Sequence, residues 1–100
     1  MNLAVMLASD REPADGSAVD AICRAALDRG HRVRLFLLGD GVRRIDLGVE
    51  MAAAGVEVSL CEADAAIRGI HKSGQPGVFF GSLYDWSKLA EDADRVVSFA

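Results

Sequence analysis

The sequence predicts an α/β fold: a parallel sheet of five strands with helices on both faces. Three observations lead there. Five short runs rich in Val, Leu and Phe recur along the chain, alanine-rich segments of helical period separate them, and a run stands near each end. Near-continuous apolar runs suit strands covered on both sides, and helical crossovers between them make the sheet parallel and right-handed.

The first strand is predicted over residues 3–7. A helix follows near Ser17, where Ser17 and Asp20 stand at capping-box spacing. Val19, Ile22, Cys23 and Ala26 form its buried stripe, and Gly30 ends it. The second strand covers 33–38. The second helix covers about 43–54, interrupted by Gly48 and closed by Gly55. The third strand, 56–60, leads into a short helix over 62–68, with Ala63, Ala66, Ile67 and then Ile70 on one face. After a loop-like stretch, 71–77, comes a strand over 78–80. The fourth helix opens on Ser82 and Asp85, again at capping-box spacing, and buries Leu83, Trp86, Ala90 and Ala93. A last strand covers 96–99. All 100 residues are predicted to form one domain, 1–100.

Composition excludes several classes of function. The apolar fraction is 51%, of which 16 residues are alanine, which suits a small core and not a disordered chain. A net charge of −4 gives no electrostatic footprint for nucleic acid or for an anionic membrane. No apolar run reaches the roughly 20 residues of a membrane helix, and the N-terminus lacks the basic region and cleavage site of a signal peptide. Two cysteines make no disulfide framework, so a reduced, cytoplasmic setting is expected. The motifs CxxC, GxxxxGK, GxSxG, HExxH and GxGxxG are absent. No metal and no nucleotide cofactor are therefore expected.

In parallel sheets, ligands and chemistry collect beyond the carboxyl ends of the strands. That rule selects Ser9 and Asp10 after the first strand, Gly39 and Asp40 after the second, Cys61 after the third, and Gly81 and Ser82 after the fourth. Cys61 is the sharpest of these. At the N-cap of the third helix, its thiolate can accept hydrogen bonds from the N–H groups of Ala63 and Asp64. The competing reading is a small core hydrophobe. Glu62 and Asp64 oppose a thiolate by charge, Arg68 can neutralise Asp64 at i,i+4, and His71 can approach after the helix. Cys23 lies on a buried helical stripe and reads as packing. Asp40 reads as a turn or cap residue, and His31 as solvated.

Taken together, several segments resemble the DsrE family, which includes the TusD-like subunits of sulfur relays. They are Gly30-His31-Arg32-Val33-Arg34-Leu35-Phe36-Leu37-Leu38-Gly39-Asp40-Gly41-Val42, Cys61 followed by Ala66-Ile67-Arg68-Gly69-Ile70, Gly81-Ser82-Leu83-Tyr84-Asp85, and Ala93-Asp94-Arg95-Val96-Val97-Ser98-Phe99. The resemblance implies a three-layer α/β/α fold with a five-stranded parallel sheet, and a homo-oligomer, trimer or hexamer. It implies a sulfur carrier or sulfurtransferase holding sulfane sulfur as a persulfide on Cys61, with donor and acceptor proteins or small thiols as partners. The Gly81-Ser82 loop and the start of the third helix would supply N–H donors to the sulfur anion. Two departures stand out: acidic Glu62 and Asp64 where small neutral residues are common, and a chain shorter than the relay subunits. An alternative is a non-catalytic DsrE-like subunit that binds a small ligand or a partner at the strand edge. A thiol redox sensor is a third reading, and no resolving cysteine is apparent for it.

Overall fold

The computed structural model describes residues 1–100. The strands are β1 (Asn2–Leu7), β2 (Arg32–Leu37), β3 (Glu57–Cys61), β4 (Val78–Gly81) and β5 (Arg95–Phe99). The helices are α1 (Pro13–Asp28), α2 (Ile45–Ala54), α3 (Glu62–Ile67) and α4 (Leu83–Asp92), and a 3-10 turn over Gly39–Arg44 leads into α2. All strand pairs are parallel, in the order β4-β3-β2-β1-β5. The chain steps outward from β1 to β4, then crosses back to lay β5 on the other side of β1. The predicted three-layer α/β/α class with a five-stranded parallel sheet is what the chain forms.

Strand alternation divides the side chains between two unequal faces. Val5 and Leu7, Val33, Leu35 and Leu37, Val58 and Leu60, and Phe80 point to one face. There they join Val19, Cys23 and Ala26 of α1, Met51 of α2 and Ala65 of α3 in the main core. On the opposite face lie Ala4, Arg34, Phe36, Ser59 and Cys61. Only α4 covers that face, with the Trp86 ring 5.8 Å from that of Phe36, and α4 buries no residue completely.

Several sequence expectations shift. The first helix begins at Pro13 rather than near Ser17, because proline at the first helical position presets φ and gives up only an amide that has no intrahelical partner. In the third helix the buried residue is Ala65, while Ala63, Ala66 and Ile67 face solvent. A helix of six residues is placed by its anchor at Cys61, not by an apolar stripe. In the fourth helix the capping box of Ser82 and Asp85 forms as predicted, yet Leu83 is exposed and Trp86, Ala90 and Ala93 are only half-buried. Gly48 is buried against the sheet: a Cβ there would stand 3.3 Å from Leu37 Cδ1 and from Val58 Cγ1. It sets the close approach of α2, at some cost in helix propensity.

Candidate functional site

The carboxyl edge of the sheet brings the predicted strand ends together in two separate groups. At the switch between β1 and β5, Ser9 and Asp40 line a crevice of about 390 Å³ with Arg11 and Ala100. Around β3, Cys61, Ala63, Gly81 and Ser82 line a second groove of about 520 Å³. The pairing of β3 with β4 sets Cys61 directly opposite Gly81, which explains why these two strand ends share a pocket. Glu62, Ala66 and Leu83 complete this groove, and the strand-end rule alone did not reach them.

Of the remaining candidates, Gly39 and Asp64 join the two groups without lining either. Asp64 accepts the Gly39 N–H at 2.8 Å through Oδ2. Arg68 donates from Nε to Asp40 at 3.0 Å and from Nη1 to the Asp64 carbonyl at 3.0 Å. Asp64, Arg68, Asp40 and Gly39 thus latch α3 onto the 3-10 turn after β2. The predicted Asp64–Arg68 pairing is present mainly through the backbone, since Arg68 Nη1 stands 3.9 Å from Asp64 Oδ1. Asp10 lies outside both groups, with Oδ2 3.9 Å from Arg43 Nε.

Cys61 itself is 7% exposed and free. It stands at the N-cap of α3 with an extended backbone, φ −76° and ψ 112°, and its side chain makes no capping hydrogen bond. The expected N–H contacts from Ala63 and Asp64 to the sulfur are therefore not made. Glu62 turns toward Lys72, with Oε1 3.2 Å from Nζ. His71 lines a different hollow beside Glu62 and Phe80 and does not reach the Cys61 groove. The thiol consequently lies in a largely apolar setting of Ala63, Ala66, Gly81 and Leu83. Cys23 behaves as the sequence suggested: it is fully buried in the core, and burial, reinforced by Asp20, pushes its thiol up to about 11. Of the two cysteines only Cys61 borders a groove.

The latch makes stability sensitive to acid. The hydrogen bond from Arg68, aided by its charge, holds the Asp40 carboxyl below its ordinary value. At the opposite edge of the sheet, the two hydrogen bonds from Arg32, at 2.5 and 2.8 Å, do the same for Glu57. A depressed carboxyl contributes stability that is present above the unfolded value and lost as pH falls through the folded one. The thermal midpoint should therefore stay level from about pH 5 to 7 and drop below about pH 4. Asp40→Asn should flatten part of that drop, as read by melts across a pH series. An unchanged acid limb in this variant would show that the latch carries no pH-dependent stability.

No family model matches the chain, and no curated protein matches it. Solved structures do. The ychN protein from E. coli superposes with a TM-score of 0.76 at 24% identity, covering 99% of this chain and 100% of that one. A conserved protein of unknown function from Bacteroides thetaiotaomicron superposes with a TM-score of 0.80 at 13% identity, covering 98% of this chain and 94% of the other. Both likenesses run essentially end to end and include the strand edge that carries Cys61. At these identities they establish a common fold, the five-stranded parallel α/β/α sandwich described above.

Proposed function

We propose that the chain is a DsrE-like sulfur carrier of the reducing cytoplasm, which accepts sulfane sulfur as a persulfide on Cys61 and passes it on. The observation that carries this reading is the position of Cys61: a free, nearly buried thiol at a strand terminus, opening onto an apolar groove of about 520 Å³. Such a groove has room for a terminal sulfur and for the tip of a second cysteine. Ala63, Ala66, Gly81 and Leu83 give it walls that are mostly apolar.

The chemistry is thiol exchange at sulfur. The Cys61 thiolate attacks the outer sulfur of a donor persulfide, R–S–SH. A bond forms between Cys61 Sγ and that sulfur while the donor's S–S bond breaks, and the electron pair leaves with the donor as RS⁻. An acceptor thiolate then attacks the outer sulfur of the Cys61 persulfide and releases the Cys61 thiolate. Atoms and electrons balance with no external oxidant or reductant. Donor and acceptor are cysteine-bearing proteins or small thiols. Exposed Tyr84 and Val96 on the α4 side, which line neither the Cys61 groove nor another cleft, support a homo-oligomer assembled through that face.

The test is intact-mass analysis after treatment with a polysulfide. The wild type should gain one sulfur atom that dithiothreitol removes, and Cys61→Ser should gain none, since Cys23 is sealed in the core. Equal loading of the Cys61→Ser variant would overturn the reading. A second reading rests on a specific observation, the absence of any hydrogen bond to the Cys61 side chain. On it, the chain is a non-catalytic assembly or binding subunit with an inert thiol. Alkylation of Cys61 no faster than that of an unperturbed thiol would favour it.

A further inference from the structure

Arg34 is the one charged residue inside the apolar run 33–38. Strand alternation puts it beside Phe36 on the face that α4 covers, where its side chain is only 13% exposed. Its Nε is buried without a hydrogen-bond partner. The two nearest carboxylates lie beyond hydrogen-bonding distance, Glu57 Oε2 at 3.9 Å from Nε and Asp92 Oδ2 at 3.8 Å from Nη1. A guanidinium withdrawn from water with an unpaired donor is costly, and a strand interior offers many cheaper residues.

The guanidinium borders a cleft of about 280 Å³ between the sheet and α4. Glu57 and Asp85 also line it, yet both are committed elsewhere. Glu57 takes the Arg32 fork at 2.5 and 2.8 Å, and Asp85 accepts the Ser82 N–H at 2.7 Å in the capping box. The two cations of the cleft are left over. Arg34 has the unpaired Nε, and Lys88 rests its Nζ 5.5 Å from the centre of the Tyr84 ring. Phe79 and Leu89 supply an apolar wall, and Ser59 a hydroxyl.

We infer that this cleft binds a small monocarboxylate with a compact apolar or aromatic body. The planar Arg34 fork matches a carboxylate, and Lys88 adds a second cation on the α4 side of the cleft. The body of the ligand lies against Phe79 and Leu89. A dianion is disfavoured, because the carboxylates of Glu57 and Asp85, although engaged by Arg32 and by the Ser82 N–H, lie at the cleft and repel a second negative charge. A volume near the lower end of ligand pockets restricts the ligand to small acids. The site lies on the sheet face beneath α4 and shares no lining residue with the Cys61 groove.

Benzoate is the probe, titrated into the full chain and followed by NMR and calorimetry, with inorganic phosphate as the competing anion. Benzoate should bind saturably at one site, shifting the signals of Arg34 Nε–H, Lys88, Phe79 and Leu89. Arg34→Gln should weaken it about tenfold or more, the loss of a charge-assisted bidentate contact. Lys88→Met, at an exposed helix position where folding is not at stake, should weaken it severalfold. Cys61→Ser should leave it unchanged, which keeps this test separate from that of sulfur transfer. Absence of saturable binding, unchanged affinity in Lys88→Met, phosphate binding tighter than benzoate, or shifts centred on the Cys61 groove would each overturn the inference.

Discussion

Gly41→Ala is expected to be the most damaging single-methyl substitution in the chain. Gly41 is buried in the 3-10 turn that follows β2, pressed against the end of β1. A Cβ there would overlap the Leu7 carbonyl oxygen and lie 2.7 Å from its carbon and 3.1 Å from the Ala8 nitrogen. These are backbone atoms, so no rotamer change relieves the clash. The Leu7 carbonyl also accepts the Leu38 N–H at 3.0 Å, and β1 pairs with both β2 and β5. Moving it disturbs the centre of the sheet. A loss of about 3–5 kcal/mol is expected, a large share of the roughly 5–15 kcal/mol that a small domain has in total. Urea denaturation followed by circular dichroism measures it. A loss under about 1 kcal/mol would show that the end of β1 yields freely.

Phe36→Ala is the second large effect, and it comes from the thinner layer. Phe36 is fully buried and packs its ring on Trp86, while no residue of α4 is completely buried. Removing the ring therefore takes away the main anchor of α4 on that face. A loss of about 3–5 kcal/mol is expected from transfer and cavity terms together. The loss has a location as well as a size. Amide exchange should rise first in α4, and then at the Ser82 and Leu83 side of the Cys61 groove, before the main core opens. Uniform exchange through all helices would instead show that the two faces unfold as a single unit.

The element order was legible because its signals are local. Apolar runs, alanine-rich helical stretches and the Ser82–Asp85 capping box are each set by neighbours within a few residues, and each stands within a few residues of where it was read. The Cys61 region was legible for the same reason, since a residue ending a strand and opening a helix has a place in any parallel sheet. The errors also have local causes. Ser17 and Asp20 satisfied a spacing rule, but Pro13 offers a helix start one turn earlier. Gly48 read as an interruption because the sheet beneath it, Leu37 and Val58, is not visible in the helix sequence. Arg34 carried a signal, a charge inside an apolar strand, although nothing in the run says whether it points to water or beneath a helix.

The sequence by itself thus determined the alternation of strands and helices, the parallel class of the sheet and the candidate residues at the strand ends. Tertiary structure alone decided how those residues are grouped. The order β4-β3-β2-β1-β5 sets Gly81 beside Cys61 and sends Ser9 and Asp40 to a different crevice. It also leaves a single helix on the second face, which buries Arg34 without a hydrogen-bond partner at Nε and exposes Phe79 and Val96. The physical reason is range. Periodicity and capping act over a few residues, whereas strand order and the covering of a face are settled by contacts between segments far apart in the chain.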